Sequence, residues 1–272
     1  MNLQKFTRLG LYLVVLAAIA SLSGCATTGG ATDPTDPFEN ANRKFYQVND
    51  SLDKNIIRPI AQGYANVTPE PIRDSVTNFF DNMGELNIVA NDLLQGKFLQ
   101  GLSDASRFVV NSTLGLGGLF DVATDMGLEA HDEDLGQTFG KWGMGEGAYL
   151  VIPFLGPDSI RDVGDRVTSP FLSPLFYVTS TITAPLSVLS IVNSRANLLD
   201  ASRMLERSAL DPYTFTREAI RQRREYLIHD GNPPIAGIEE YIDDDEFGFG
   251  DDEPAAPRQG PPPQDPGVLK VF

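Results

Sequence analysis

Residues 167–194, VTSPFLSPLFYVTSTITAPLSVLSIVNS, are 28 consecutive uncharged positions between Arg166 and Arg195, and no other feature restricts the possible folds as strongly. About 20 apolar residues in a helix cross a hydrocarbon core, so the tract is long enough to do so. Pro170, Pro174 and Pro185, together with many hydroxyls, oppose one straight spanning helix, because each proline removes a donor and crowds the preceding turn. Two readings remain: short helices at membrane depth, covered by other protein, or two core helices of a soluble bundle. The prolines and hydroxyls favour the first.

The N-terminal residues point the same way. Lys5 and Arg8 precede the apolar run LGLYLVVLAAIA, and Leu22-Ser23-Gly24 stands directly before Cys25, the sole cysteine of the 272 residues. This is the pattern of a secretory signal ending in a lipobox, against the simpler reading of an ordinary signal with an incidental cysteine. Residues 1–24 are therefore expected to be removed, leaving Cys25 as the lipidation site. A single myristoyl chain holds only reversibly at about 0.8 kcal/mol per methylene, so three chains on Cys25 should anchor stably. Ala26, where an aspartate would retain a bacterial lipoprotein at the inner membrane, favours the outer membrane. With one cysteine there is no disulfide framework, and packing alone must hold the domain.

From Asp230 onward eleven acids stand against Arg258 and Lys270, with prolines throughout. Such a composition cannot bury enough apolar surface to offset chain entropy, so residues 230–272 are expected to form a disordered acidic tail. Its simplest role is solvation; a docking strip for a basic partner is the alternative. The net charge of −16 repels phosphate backbones, so no nucleic acid partner is expected.

Residues 25–35 read as a linker and 36–229 as one domain with a sizeable core. Asp36, Pro37 and Glu39 suggest a capped helix start, and Phe38, Ala41, Phe45, Val48, Leu52 and Ile56 form an apolar stripe that Arg58-Pro59 should end. A second helix is expected from Thr68-Pro69 through Met83, a third from Leu86 to a cap at Gly96, and a fourth through Phe98, Leu102, Ala105 and Val109. Asp211-Pro212 should open a last helix carrying Arg217, Arg221, Arg223 and Arg224. Residues 148–155 are the best strand candidate, weakened by Pro153.

Between Ser112 and Tyr149 lie nine glycines. Each costs a helix roughly 1 kcal/mol, so the region should be a loop, a hinge or a place of close approach. The stretch from Gly136 to Trp142 fails as a phosphate-binding P-loop on both spacing and its terminal hydroxyl. Gly143 to Ala148 fits a dinucleotide fingerprint only by force, because an apolar run ending in proline follows where a helix should start. Gly101-Leu-Ser103-Asp-Ala105 approaches a nucleophile elbow, with His131 or His229 as base, yet Ser103 falls in a helical pattern. His131-Asp132-Glu133-Asp134 lacks the spacing of a calcium loop and reads better as a solvated loop than as a metal site. No catalytic residue, metal or cofactor is expected.

Six ordered motifs carry a resemblance. They are DPFE-x-x-NR from Asp36, NDLLQG from Asn91, RFVVNS from Arg107, GLGG from Gly115 with Asp121-Val-Ala, FGKWG from Phe139, and Gly147-AYLVIPFLGP-x-x-x-Arg161-Asp162. Together with the lipobox they resemble the MlaA (VacJ) lipoproteins over about residues 25–229. Ala148 stands where that family usually has proline, and Leu86 where Glu-Pro is common; the first departure bears on loop stiffness.

The resemblance implies an all-α, ring-shaped domain embedded in the inner leaflet of the outer membrane around an amphipathic pore. It further implies a protein that is not an enzyme, that removes phospholipids misplaced in the outer leaflet, and whose partners are a trimeric porin, the periplasmic carrier MlaC and, beyond it, the inner-membrane MlaFEDB transporter. The physics is compatible. Exposing two sixteen-carbon chains to water would cost on the order of 25 kcal/mol at about 0.8 per methylene, so a shielded path is required and no nucleophile is. On this view Gly143, Gly145 and Gly147 hinge a pore-lining loop, with Tyr149 beside the channel. Arg161 and Asp162 either fix the base of that loop or meet a lipid headgroup. A lipid-anchored phospholipase and a porin-binding scaffold are the alternatives.

Overall fold

The computed structural model describes Asp33 and residues 35–234; the signal sequence, Cys25 and the acidic segment from residue 235 lie outside them. The described chain is mostly helical. α1 (Glu39–Leu52) runs through a π-turn (Asp53–Ile57) into α2 (Arg58–Val67), followed by α3 (Glu70–Gln95), α4 (Phe98–Thr113), the short α5 (Val122–Asp125) and α6 (Leu135–Lys141). A two-stranded antiparallel sheet, β1 (Tyr149–Ile152) and β2 (Gly156–Ser159), precedes α7 (Val163–Leu172), a 3-10 turn (Pro174–Tyr177), α8 (Ser180–Asn197), α9 (Leu199–Ser208) and α10 (Pro212–Ile228). The expectation of an all-α chain is therefore corrected by one β-hairpin. It falls on the strand candidate, and Pro153 is tolerated because it lies just past β1, in the turn.

Three other expectations need correction. Arg58-Pro59 does not end the first helix. The π-turn, in which the Arg58 N–H reaches back five residues to the Asp53 carbonyl, widens the helix where the proline ring would otherwise clash. The second and third helices are one helix, α3, since no proline divides them and Gly84 sits in its interior with open space around it. Asp36 does not cap α1 with its side chain: no such bond exists, because its carboxylate is taken by tertiary partners described below.

Local signals hold elsewhere. Gly96 closes α3 at φ 79°, with the Lys97 N–H reaching the Asp92 carbonyl at 2.9 Å, a left-handed cap that glycine adopts without penalty. α3 and α4 pack as a helical hairpin across this turn. α8 packs against α2 and α3, α6 against α3, α7 and α10, and β1 against α1. Residues 167–194 are split among α7, the 3-10 turn and α8, with Pro170 and Pro185 inside helices. Among the described residues no helix is long and apolar enough to cross a membrane.

Candidate functional site

The β-hairpin is built onto α1 by two asparagines seven residues apart. Asn42 donates Nδ2 to the Tyr149 carbonyl at 2.9 Å and accepts the Val151 N–H on Oδ1 at 2.9 Å. Asn49 does the same one step along, to the Ile152 carbonyl at 3.0 Å and from the Phe154 N–H at 2.8 Å. Each side-chain amide thus stands in for a strand neighbour and satisfies backbone groups at the edge of β1. Asp36, fully buried, receives hydrogen bonds from Asn42 (2.8 Å), the Tyr213 hydroxyl and Arg217 Nη1 (3.1 Å). Tyr149 packs edge-on against Tyr213, ring centroids 6.1 Å apart, and Tyr46 meets Tyr213 in turn. Tyr149 is 1% exposed, so its ring belongs to the small apolar core with Val151 and Tyr213 and not to an open surface.

The glycine loop joins α6 to this hairpin. Gly143 (φ 88°) and Gly147 (φ 73°) hold left-handed backbone, which explains glycine there. Gly143 and Gly145 have open space around them, and all three glycines are exposed. The loop is pinned at its far end, where the Ile160 N–H reaches the Ala148 carbonyl and the Arg161 N–H the Glu146 carbonyl, each at 3.2 Å. Arg161 and Asp162 do pair, Nε to Oδ1 at 2.8 Å, both buried. Asp162 also accepts from the Ser159 hydroxyl at 2.8 Å and Arg224 Nη2 at 2.9 Å.

Arginines on α10 at spacings of four and three gather these pieces. Arg217 pairs with Asp33 and Asp36, Arg221 with Glu146 on the loop, and Arg224 with Asp134 and Asp162. Arg224 holds the Asp134 carboxyl below its ordinary range against the opposing effect of burial. A cavity of about 260 Å³ lies under the loop, lined by Gly143, Gly145, Glu146, Arg161, Arg221 and Arg224 among others. The i, i+4, i+7 arginine spacing was visible in the sequence as one helix face; its acidic counterparts, scattered from Asp33 to Asp162, were not.

The acids after His131 form a loop that is only partly solvated, with Asp132 exposed and Glu133 buried. His131 Nδ1 meets buried Asp104 at 2.9 Å, Asp132 meets Arg223, and Asp134 caps α6 through the Gln137 N–H. Glu133 is buried against Lys97 and Gln95. No metal-binding group of three or more such side chains occurs among the described residues. Ser103 lies within α4, away from any strand-to-helix turn. Asp230, the first residue of the expected tail, pairs with Lys97 and Lys141 and so belongs to the folded part.

Outside the small apolar core, much of the burial pattern is inverted. Among the described residues, Asn82, Glu85, Asn91, Asp92, Asp104, Arg107 and Asn111 are buried between α3, α4 and their neighbours, while Leu99, Leu102, Val109, Val167, Tyr177 and Val188 are exposed. Arg107 organises the interior: its Nε lies 3.3 Å from Glu85 Oε1 and its Nη2 3.1 Å from both oxygens of Asp121. Burial pushes the Glu85 carboxyl up to about 7 even with Arg107 beside it. Asp92 is likewise driven well up by burial and by the Asp104 carboxyl.

These features define a class: a mainly helical protein with buried ion pairs and many exposed apolar side chains, whose helix α10 ties a glycine loop and a β-hairpin to the rest. The chain belongs to the MlaA lipoprotein family, whose model matches residues 34–227. It is similar to the intermembrane phospholipid transport system lipoprotein MlaA of Escherichia coli (strain K12), 34% identical over 236 residues, 82% of this chain and 93% of that protein. An uncharacterized protein of Rickettsia bellii (strain RML369-C) is 37% identical over 213 residues, 77% of this chain and 83% of its own length. A solved structure reported as "Structural basis for maintenance of bacterial outer membrane lipid asymmetry" superposes with a TM-score of 0.64 at 34% identity, covering 71% of this chain and 98% of that one.

Proposed function

We propose that this chain is an outer-membrane lipoprotein, anchored through Cys25, that takes phospholipid misplaced in the outer leaflet and returns it unaltered toward the inner membrane. The observation that carries the reading is the inverted burial. Exposed side chains such as Leu99 and Val188 and buried ones such as Asp104 and Arg107 would be costly in water on both counts. Both become favourable when hydrocarbon replaces the outer solvent. On this reading the domain lies within one leaflet, as a ring of helices around an amphipathic passage, and the uncharged, largely exposed residues 167–194 support it. The E. coli relative named for intermembrane phospholipid transport and the structure reported for outer-membrane lipid asymmetry support the same activity here. A trimeric porin as scaffold, and a soluble carrier such as MlaC leading to MlaFEDB, complete the route. Gly143, Gly145 and Gly147 act as the hinge of the loop, and the Arg161–Asp162 pair as its base.

The test removes the signal and Cys25 and asks whether the domain still needs detergent. Continued need supports embedding, and a freely soluble monomer refutes it. In cells, deletion of the chain should raise outer-leaflet phospholipid, and an unchanged level refutes transport. For the hinge, Gly145→Pro is the cleaner restraint, because Gly143 holds φ 88°, which proline cannot adopt. Outer-leaflet phospholipid unchanged in Gly145→Pro would remove the hinge.

A further inference from the structure

Three guanidinium groups, Arg161, Arg221 and Arg224, line the cavity under the glycine loop, with Met144 and Ile228 as its apolar part and Glu146 and Glu225 as opposing carboxylates. At about 260 Å³ it falls just short of the roughly 300–1,000 Å³ that accommodates drug-sized ligands. It has room for a headgroup and not for two acyl chains. Arg224 commits its Nη atoms to Asp134 and Asp162, yet its Nε is buried with no acceptor.

Glu146 is the exchangeable member of the set. Its carboxylate accepts from Arg221 Nε at 3.0 Å with both side chains about a quarter exposed, a pairing worth only about 0–1 kcal/mol. It stands between Gly145, which has open space, and Gly147, which is left-handed. Asp134 and Asp162, by contrast, are fixed at the start of α6 and beside buried Ser159. Rotation of the Glu146 side chain, with its carbonyl still held by the Arg161 N–H, therefore withdraws one carboxylate and leaves the arginine wall in place.

We infer that this cavity receives the phosphate of a phospholipid headgroup, and that Glu146 fills it as an internal substitute which the headgroup displaces. The inference rests on the transport reading above and adds its headgroup site. Arginine forks match phosphate oxygens in pairs, so the exchange replaces Glu146 on Arg221 Nε by another anion while Nη1 keeps Thr35 at 3.0 Å and Glu218 at 3.8 Å. Inorganic phosphate offers the same oxygens, and the test must separate the two.

The full-length lipoprotein in detergent micelles is titrated with dihexanoyl phosphatidylglycerol, with glycerophosphoglycerol and with inorganic phosphate. Glu146→Gln, which removes the competing charge, should bind the short-chain lipid up to about fivefold tighter, the equivalent of about 1 kcal/mol. Arg221→Gln should weaken binding, and Glu146→Asp should restore the wild-type affinity, with melting temperatures close to wild type throughout. Unchanged affinity in a folded Glu146→Gln protein overturns the inference. Inorganic phosphate binding as tightly as the lipid overturns the assignment to a headgroup. Deletion of the whole chain reads transport separately: outer-leaflet phospholipid that fails to rise sinks that reading, whatever the titration gives.

Discussion

The α3–α4 interface and residues 167–194 invert the ordinary rule from opposite sides. In the first, Glu85, Asp104 and Arg107 are buried and tied to one another or to Asp121 and His131, and Asp92 is buried with them. In the second, a tract without a single charge buries only Asn193; α7 and the 3-10 turn bury nothing. Either region alone would pass as a local exception, since soluble proteins do expose isolated apolar side chains. Together they set buried ion pairs at the α3–α4 interface against an uncharged and largely exposed tract, and the proposed embedding rests on that contrast.

The comparison can be broken most severely at Arg107. Arg107→Ala leaves Glu85 buried without its cation, and breaking a buried pair costs roughly 3–5 kcal/mol. A drop in melting temperature in micelles should report it, and a near-neutral effect would mean that water reaches the seam. On the other side, Val188→Asp places a charge where the wild-type residue is 62% exposed. In hydrocarbon this should cost about 2.5–3.5 kcal/mol, seen as weakened retention on membranes, whereas a water-facing site would respond by less than about 0.5 kcal/mol.

The pH response sharpens the interior half. Glu85 has its folded value raised from 4.5 to about 7 by burial, against the pull of Arg107, so the folded state binds the proton more tightly than the unfolded one. The stability that neutral Glu85 contributes is full below pH 4.5 and is lost as pH rises through about 7. Between pH 5 and 7 this amounts to on the order of 2–3 kcal/mol. Glu85→Gln should flatten the melting profile across that window, and an equally steep variant would place the titrating group elsewhere. The smallest effect is expected at Asn49→Ala, which removes two partly exposed hydrogen bonds to the β-hairpin, about 1 kcal/mol in all. Faster amide exchange at Phe154, with little change elsewhere, is the measurement.

Local chemistry was enough to write the helix ends. Gly96 and Asp211 mark helix ends because a left-handed residue and a short acceptor each satisfy groups one turn away. The six motifs pointed to the family, and of the three prolines in residues 167–194 only Pro174 stands at the break, while Pro170 and Pro185 lie inside helices. Only the tertiary structure decided which polar residues are inside. Asp36 had every local mark of a cap and became a buried acceptor for Tyr213 and Arg217, 177 and 181 residues away in the chain. Asn42 and Asn49 look like polar positions on α1 and proved to be the edge partners of β1. Hydrophobic periodicity identifies a helix face but not the neighbours that face will meet, and in this chain partners distant in sequence decided which polar groups became interior.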